Sequence, residues 1–327
     1  MKEKVVICDY EFPNIDRERE IVEGYGAELV AGQGKDKGEQ YLIDLLKDAD
    51  GIINQYSKLT ANVINALEKC KVIVTYGIGV DKIDVEAASK KGIIVSNVPD
   101  YCIEEVADHA FAMLMALGRG LFKLDRCTKK GNWSFRNAAP LFRTSECTVG
   151  IIGFGRIGSM LAKKISAYRF KDIIAYDPYV NRQTIESYGV KKVEFEQVLR
   201  ESDYLSIHAP LTEETRHMIS EDELRKMKST AYLINVGRGP IIDGSALYKA
   251  LSEGWIAGAG LDVFEEEPLS PDSPLLTLDN LIATPHAAFY SKQSLIELQT
   301  KAAEEVVRVL SGNPPRSAVN LNDISKK

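Results

Sequence analysis

The stretch TVGIIGFGRIGSMLAKKISAYRF, residues 148–170, decides the fold. Its first five residues, TVGII, form a short apolar run of strand type, three glycines follow at G-x-G-x-x-G spacing, and the apolar positions behind them fall at helical intervals. As a bare pattern G-x-G-x-x-G is weak, but between a strand and an amphipathic helix it describes one turn with a physical purpose. Gly153 permits the tight turn, Gly155 lets the backbone approach a pyrophosphate, and Gly158 lets the helix pack closely on its strand. The phosphates would rest on the helix N-terminus, where unpaired N–H groups and the positive end of the dipole point outward. Asp177 ends the next apolar run, 19 residues after Gly158, where a carboxylate meets the ribose hydroxyls of an adenosine and repels a 2′-phosphate. The reading is a dinucleotide site for NAD in preference to NADP.

Outward from this turn the chain alternates strand and helix patterns, which implies parallel sheets covered by helices. Downstream lie DIIAYD (172–177), VKKV (190–193), DYLSIHAP (203–210), AYLINVG (231–237), WIAGAGLDV (255–263) and NLIATP (280–285), making six or seven strands with TVGIIG. Upstream lie VVICD (5–9), AELVAG (27–32), DGIINQ (50–55), KVIVTY (71–76) and GIIVSNV (92–98), about five strands of a smaller α/β domain. A long apolar-faced helix at 104–120 and an irregular polar arm without a clear period separate the two series. Ser220 with Glu223 three residues on forms a capping box. The last helix pattern, from about 291 to 310, comes after the second sheet is complete and could return to the first domain. The expected architecture is α/β, with two doubly wound domains and a cleft between them. The domains are a flavodoxin-like substrate domain, 1–100 with 290–327, and a Rossmann NAD-binding domain, 101–289, bearing a dimerisation arm at about 121–147.

At 327 residues and 45% hydrophobic content the chain can fill two cores. Its net charge is −6 and its lysine pairs form no basic stripe, so nucleic acid is not expected as a direct partner. No stretch approaches the roughly 18 consecutive apolar residues of a membrane span, and MKEKVVICDY lacks a signal peptide's apolar core. Five scattered cysteines, never in a C-x-x-C pair, fit neither a disulfide framework nor a zinc site, and suggest a reducing cytoplasm.

Three polar groups fall just after the later strands, on the side where open α/β sheets bind ligands. They are Arg238 in NVGRGPIID, Glu267 in DVFEEEP and His286 in TPHAAFYS. Arg238 suits a carboxylate, which its planar fork grips with two bonds. His286 suits proton transfer, with Glu267 orienting it and favouring its protonated form. Against this, Arg238 could be a surface arginine, Glu267 ends a run of three glutamates of the kind that usually faces solvent, and most histidines are structural. Of the others, His208 is placed beside the cofactor crevice by the same strand logic, His109 on the apolar helix reads as structural, and His217 in a polar loop reads as solvent-facing.

These segments resemble the D-isomer-specific 2-hydroxyacid dehydrogenase family along nearly the whole chain. The likeness is carried by GFGRIG with Asp177 downstream, NVGRG, LDVFEEEP and TPH. TPHAAFYS, NVPDYCIEEVADHAFAMLM and LTEETRHMI look most like the branch of the C-terminal-binding protein dehydrogenases. The resemblance implies hydride transfer between NAD and a small 2-hydroxy or 2-keto acid, with Arg238 binding substrate and Glu267 supporting His286 as proton donor. It further implies that Asp262 fixes the nicotinamide amide, that Arg156 and Ile157 meet the pyrophosphate, and that the main chain at Val236 and Gly237 faces the cofactor. By the same likeness, the turn Tyr76, Gly77, Ile78 and Gly79 holds the substrate carboxylate, and the arm joins a homodimer. Ala287 and Ala288 stand where many relatives have glycines. Glu267 argues against formate as substrate, since formate dehydrogenases of the superfamily pair the histidine with glutamine. Phosphoglycerate dehydrogenase and glyoxylate/hydroxypyruvate reductase stay open within the class, and an NAD(H)-sensing corepressor-like binding protein outside it.

Overall fold

The computed structural model describes residues 2–138 and 140–324. Residue 139 of the expected arm, and residues 1 and 325–327 of the expected first domain, lie outside the described residues. The chain divides into two compact units, Met1–Cys102 with Ser291–Lys327, and Ile103–Tyr290.

In the first unit five strands form a parallel sheet: β1 (Lys4–Ile7), β2 (Glu28–Ala31), β3 (Gly51–Asn54), β4 (Val72–Thr75) and β5 (Ile94–Ser96). Their order, β2-β1-β3-β4-β5, is the flavodoxin-like one. The central strands GIIN and VIVT are buried at every position, as continuous apolar runs must be when helices cover both faces of a sheet. The helix Lys292–Leu310 packs on β3, on β4 and on the helix Asp16–Tyr25. Its start is set by Ser291, whose hydroxyl accepts from the Ser294 N–H at 2.9 Å. Between these elements lies a buried carboxylate. Glu18 accepts from the Tyr76 hydroxyl at 2.6 Å and from the Gln299 amide at 3.1 Å, joining the end of β4 to two helices.

The second unit has seven parallel strands: β6 (Thr148–Ile152), β7 (Asp172–Tyr176), β8 (Lys191–Lys192), β9 (Tyr204–Ile207), β10 (Tyr232–Asn235), β11 (Gly258–Leu261) and β12 (Leu281–Ala283). The order β12-β11-β10-β9-β6-β7-β8 reverses direction between β6 and β9, which puts a ligand crevice beyond the carboxyl ends of those strands. The glycine-rich turn leaves β6 at that point. The helix Arg156–Ile165 that follows packs against the helix Ile103–Gly118, which also covers β10 and β11.

The segment without sequence period is more regular than its pattern suggests. It holds a helix, Leu121–Lys129, and two 3₁₀ turns, Phe135–Ala138 and Thr144–Glu146. That helix buries no side chain, so it needs no apolar stripe, and a stripe is what a helical period reports. Along the whole segment Leu121, Phe122, Trp133, Phe135 and Phe142 are exposed. Among the described residues no helix is long and apolar enough to cross a membrane.

Glu18 gives the first prediction. Glu18→Ala leaves the buried Tyr76 hydroxyl without its acceptor and the Gln299 amide with the Asn14 carbonyl alone, and should lower stability by roughly 2–4 kcal/mol. Chemical denaturation checks it; an unchanged midpoint would mean that the carboxylate does not hold these elements together.

Candidate active site

The last three strands end level with one another: Asn235 of β10 pairs with Leu261 of β11, and Leu261 with Ala283 of β12. Arg238 and His286 follow three residues after their strand ends, and Glu267 six after its own. Asn235, fully buried, shapes the first of these turns. Its amide donates to the Arg238 carbonyl at 2.9 Å and its oxygen accepts from the Gly237 N–H at 3.0 Å.

His286 sits in the left-handed region, φ 52°, a conformation that costs a non-glycine residue about 1–2 kcal/mol. The surroundings impose it. Its N–H donates to the carbonyl of Asp262 at 2.8 Å, and the Asp262 carboxylate accepts from the Thr284 hydroxyl at 2.6 Å and from the N–H groups of Ala287 and Ala288, both at 2.8 Å. Since Thr284 gives its one proton to Asp262, His109 must donate from Nε2 to the Thr284 oxygen, 3.0 Å away.

Thus held, the His286 ring brings Nδ1 to 2.7 Å from Glu267 Oε2, while Glu267 Oε1 accepts from the Phe264 N–H at 2.9 Å. Burial opposes a charge on Glu267, but the bonds from His286 and Phe264 and the nearby Arg238 charge outweigh it, holding its carboxyl below the ordinary glutamate value. The three groups singled out in the sequence are therefore brought together. With Nδ1–H directed at the carboxylate, Nε2 of a ring whose side chain is 41% exposed is left to act. Gly239 makes the arrangement possible: a Cβ there would stand 1.9 Å from the Phe264 carbonyl carbon, so only glycine lets the Glu267 loop lie on the Arg238 turn.

The glycine-rich turn lies in the same unit. Gly153 has φ 87°, and a Cβ on it would stand 2.6 Å from the Ala209 nitrogen; one on Gly158 would stand 2.1 Å from the Gly153 oxygen. Above Gly155 there is open space, with no heavy atom within 4 Å of where a Cβ would be. Gly155 is also the N-cap of the helix Arg156–Ile165, and no side chain caps it. An uncapped helix start facing open space fits a pyrophosphate, with the first N–H groups, from Arg156 onward, as its donors. The Asp177 carboxylate is pinned beside this turn by the N–H groups of Phe154 at 2.7 Å, Tyr179 at 2.8 Å and Val180 at 3.0 Å. His208 contacts the turn through its backbone, and its ring Nε2 lies 2.8 Å from the Ser206 hydroxyl. Its Nδ1 is closed off and has no partner among the described residues, and burial draws its pKa down to about 4, so the ring is neutral. Ala209 touches both Gly153 and Gly237, which links the cofactor turn to the main chain at Val236 and Gly237.

In the first unit, the phenol of Tyr76 is committed to Glu18. What the 76–79 turn offers a ligand is main chain, braced by Val98 N–H on Gly77 O at 2.9 Å and by the Asn97 amide on Ile78 O at 2.6 Å.

His217 faces solvent as expected, its side chain 40% exposed, and its Nε2 lies 2.7 Å from Glu265 Oε1. Asp262 is 1% exposed, and its carboxylate is engaged by the His286 turn. Sequence reasoning missed Asn235, Gly239, Thr284 and Glu265. Of these only Asn235 carried a signal, as a lone amide closing an apolar strand.

A glycine-rich strand-to-helix turn and a carboxylate-backed histidine in one doubly wound sheet are features of a nicotinamide-dependent dehydrogenase. Residues 111–288 match the family model of the D-isomer specific 2-hydroxyacid dehydrogenase NAD binding domain. The chain is 41% identical over 286 residues to a glyoxylate reductase of Korarchaeum cryptofilum, covering 86% of each. It is 37% identical to a D-3-phosphoglycerate dehydrogenase of Archaeoglobus fulgidus, covering 92% of this chain and 56% of that one. Among solved structures, a D-lactate dehydrogenase of Aquifex aeolicus complexed with NAD and lactic acid superposes with a TM-score of 0.84 at 32% identity, over 99% of this chain and 98% of that one. The chain belongs to the D-isomer specific 2-hydroxyacid dehydrogenase family.

Asp262→Asn replaces one acceptor oxygen by an amide that cannot accept from the 284–288 turn. Losing one charge-assisted bond of roughly 1.5–3 kcal/mol should speed hydrogen exchange at the Ala287 and Ala288 amides about 10- to 100-fold. Unchanged protection of both amides would show that the turn is held by something else.

Proposed function

We propose that the protein reduces a small 2-keto acid, of which glyoxylate is the simplest, to the corresponding 2-hydroxy acid with NADH, and catalyses the reverse oxidation. The observation that carries the reading is the 2.7 Å contact between His286 Nδ1 and Glu267. When bound, the nicotinamide supplies or accepts the hydride. Glu267, ionised and braced by the Phe264 N–H, stabilises the imidazolium and turns Nε2 outward. From Nε2 the proton passes to the carbonyl oxygen in reduction and returns to Nε2 in oxidation. Arg238 grips the substrate carboxylate and polarises the carbonyl beside it; in the first unit, the main chain of Gly77, Ile78 and Gly79 offers donors suited to a carboxylate.

The open space at Gly155 and the uncapped helix support pyrophosphate binding. The fixed carboxylate of Asp177 supports NAD over NADP by repelling a 2′-phosphate. The preference for the smallest keto acids follows the Korarchaeum cryptofilum relative's name, with phosphoglycerate kept as a rival substrate. The exposed aromatic side chains of the 121–147 segment support a homodimer contact, for which sedimentation is the test.

A panel of keto acids assayed with NADH and with NADPH tests substrate and cofactor together. NADH should give the higher kcat/KM; equal values would remove Asp177 from the ribose, and flat traces with every acid would favour an NAD(H)-sensing binding protein. His286→Ala should lose about 10²–10⁴-fold in both directions. Glu267→Gln withdraws the charge that favours the imidazolium. Its reduction should therefore decline at lower pH than in the wild type, while its oxidation gains at the acid end, and superimposable profiles would break the proposed pair.

A further inference from the structure

Glu265 stands two residues before Glu267 and uses both of its carboxylate oxygens. Oε1 lies 2.7 Å from His217 Nε2, and Oε2 accepts from the Gly244 N–H at 3.0 Å. Both partners are firmly placed. His217 is in the left-handed region, φ 51°, with its N–H on the Pro240 carbonyl at 2.8 Å, and Gly244 opens the helix Gly244–Ser252. Both belong to the wall around the turn that carries Arg238.

Packing alone does not press the 264–267 loop onto that turn. On one side the backbone of Phe264 meets Gly239 without an intervening side chain. Beside the loop, toward the helix Gly244–Ser252, lies a cavity of about 450 Å³, lined by Gly239, Gly244, Leu247, Phe264, Leu269 and Leu275 among others. Packing is incomplete on the side of the loop that faces its anchors, and there the two bonds of Glu265 supply a directional hold.

We propose that Glu265 is the positioning residue of this site: by anchoring the loop to His217 and Gly244 it keeps Glu267 within bonding distance of His286. This rests on the reading of Glu267 and His286 as the proton-transfer pair. Glu265 touches neither substrate nor cofactor in this assignment; it acts through Glu267.

The test compares wild type with Glu265→Ala, Glu265→Gln and His217→Gln, using Glu267→Gln and His286→Ala as references. Glu265→Ala should lose about 10- to 100-fold in kcat, as expected for an Ångström-scale displacement of a catalytic group. Its KM for NADH should be unchanged, and its reduction profile should decline at lower pH, toward that of Glu267→Gln. Glu265→Gln should recover most of the loss, because its oxygen can accept from Gly244 while its amide donates to a neutral His217. A pH titration of the His286 ring by NMR requires no turnover. In Glu265→Ala the ring should lose its proton at lower pH than in the wild type. The proposal is overturned if that titration is unchanged in Glu265→Ala, or if activity falls by one factor at every pH with Glu265→Gln no better. Should Glu265→Ala fail to fold, the same comparison applies to His217→Gln, which removes one bond, and an unaltered titration there overturns the proposal equally. A nearly active His286→Ala would instead sink the proton-transfer reading, leaving the NMR result to decide the role of Glu265.

Discussion

A buried carboxylate holds the turn of His286 in place. Asp262 follows β11 directly and is almost wholly shielded from water. An isolated charge there would be strongly unfavourable, with a penalty of several kcal/mol after relaxation. Three donors, all from residues 284–288, offset it. The same bonds that satisfy Asp262 force the chain after β12 into a tight turn, and that turn puts His286 in a conformation it would not choose alone. Strain of about 1–2 kcal/mol at His286 is small beside the penalty that unpairing Asp262 would bring, so the left-handed histidine persists. His109 extends the arrangement by holding the Thr284 oxygen from the long helix.

Around this anchor, proximity is achieved by missing side chains. Gly153 against the 208–209 segment, Gly158 against Gly153 and Gly239 against Phe264 are all backbone-on-backbone contacts in which a Cβ would meet main-chain atoms at 2.6 Å or less. Backbone cannot yield as a flexible side chain can, so each of these glycines sets a distance. The first two shape the glycine-rich turn, and the third brings the loop bearing Glu267 onto the turn bearing Arg238. Gly155 differs in kind: it faces open space, and its lack of a side chain leaves room for a ligand.

The run Glu265 to Glu267 shows how much a local pattern can conceal. Three consecutive acids suggest a solvated face, yet two of them are paired with different histidines on different segments, His217 and His286. Neither histidine is near the run in sequence, so no spacing could announce the pairs. Glu267 was legible only through a family resemblance and its place after a strand; Glu265 was not legible at all.

Sequence alone determined the elements and their type. Continuous apolar runs such as GIIN and VIVT mark strands buried on both faces, G-x-G-x-x-G between strand and helix marks the phosphate turn, and alternation of strand and helix marks parallel sheets. It also placed Arg238, Glu267 and His286 beyond strand ends, because ligand sites in such sheets lie there. The tertiary structure alone decided which strands end side by side, and so which loops meet. It turned His286 toward Glu267 through Asp262, committed the Tyr76 phenol to Glu18 and gave Glu265 its partner. Those outcomes depend on hydrogen bonds between residues 19 to 58 positions apart. Periodicity reports which face of an element is buried; it carries no information about which distant donor a buried carboxylate will find.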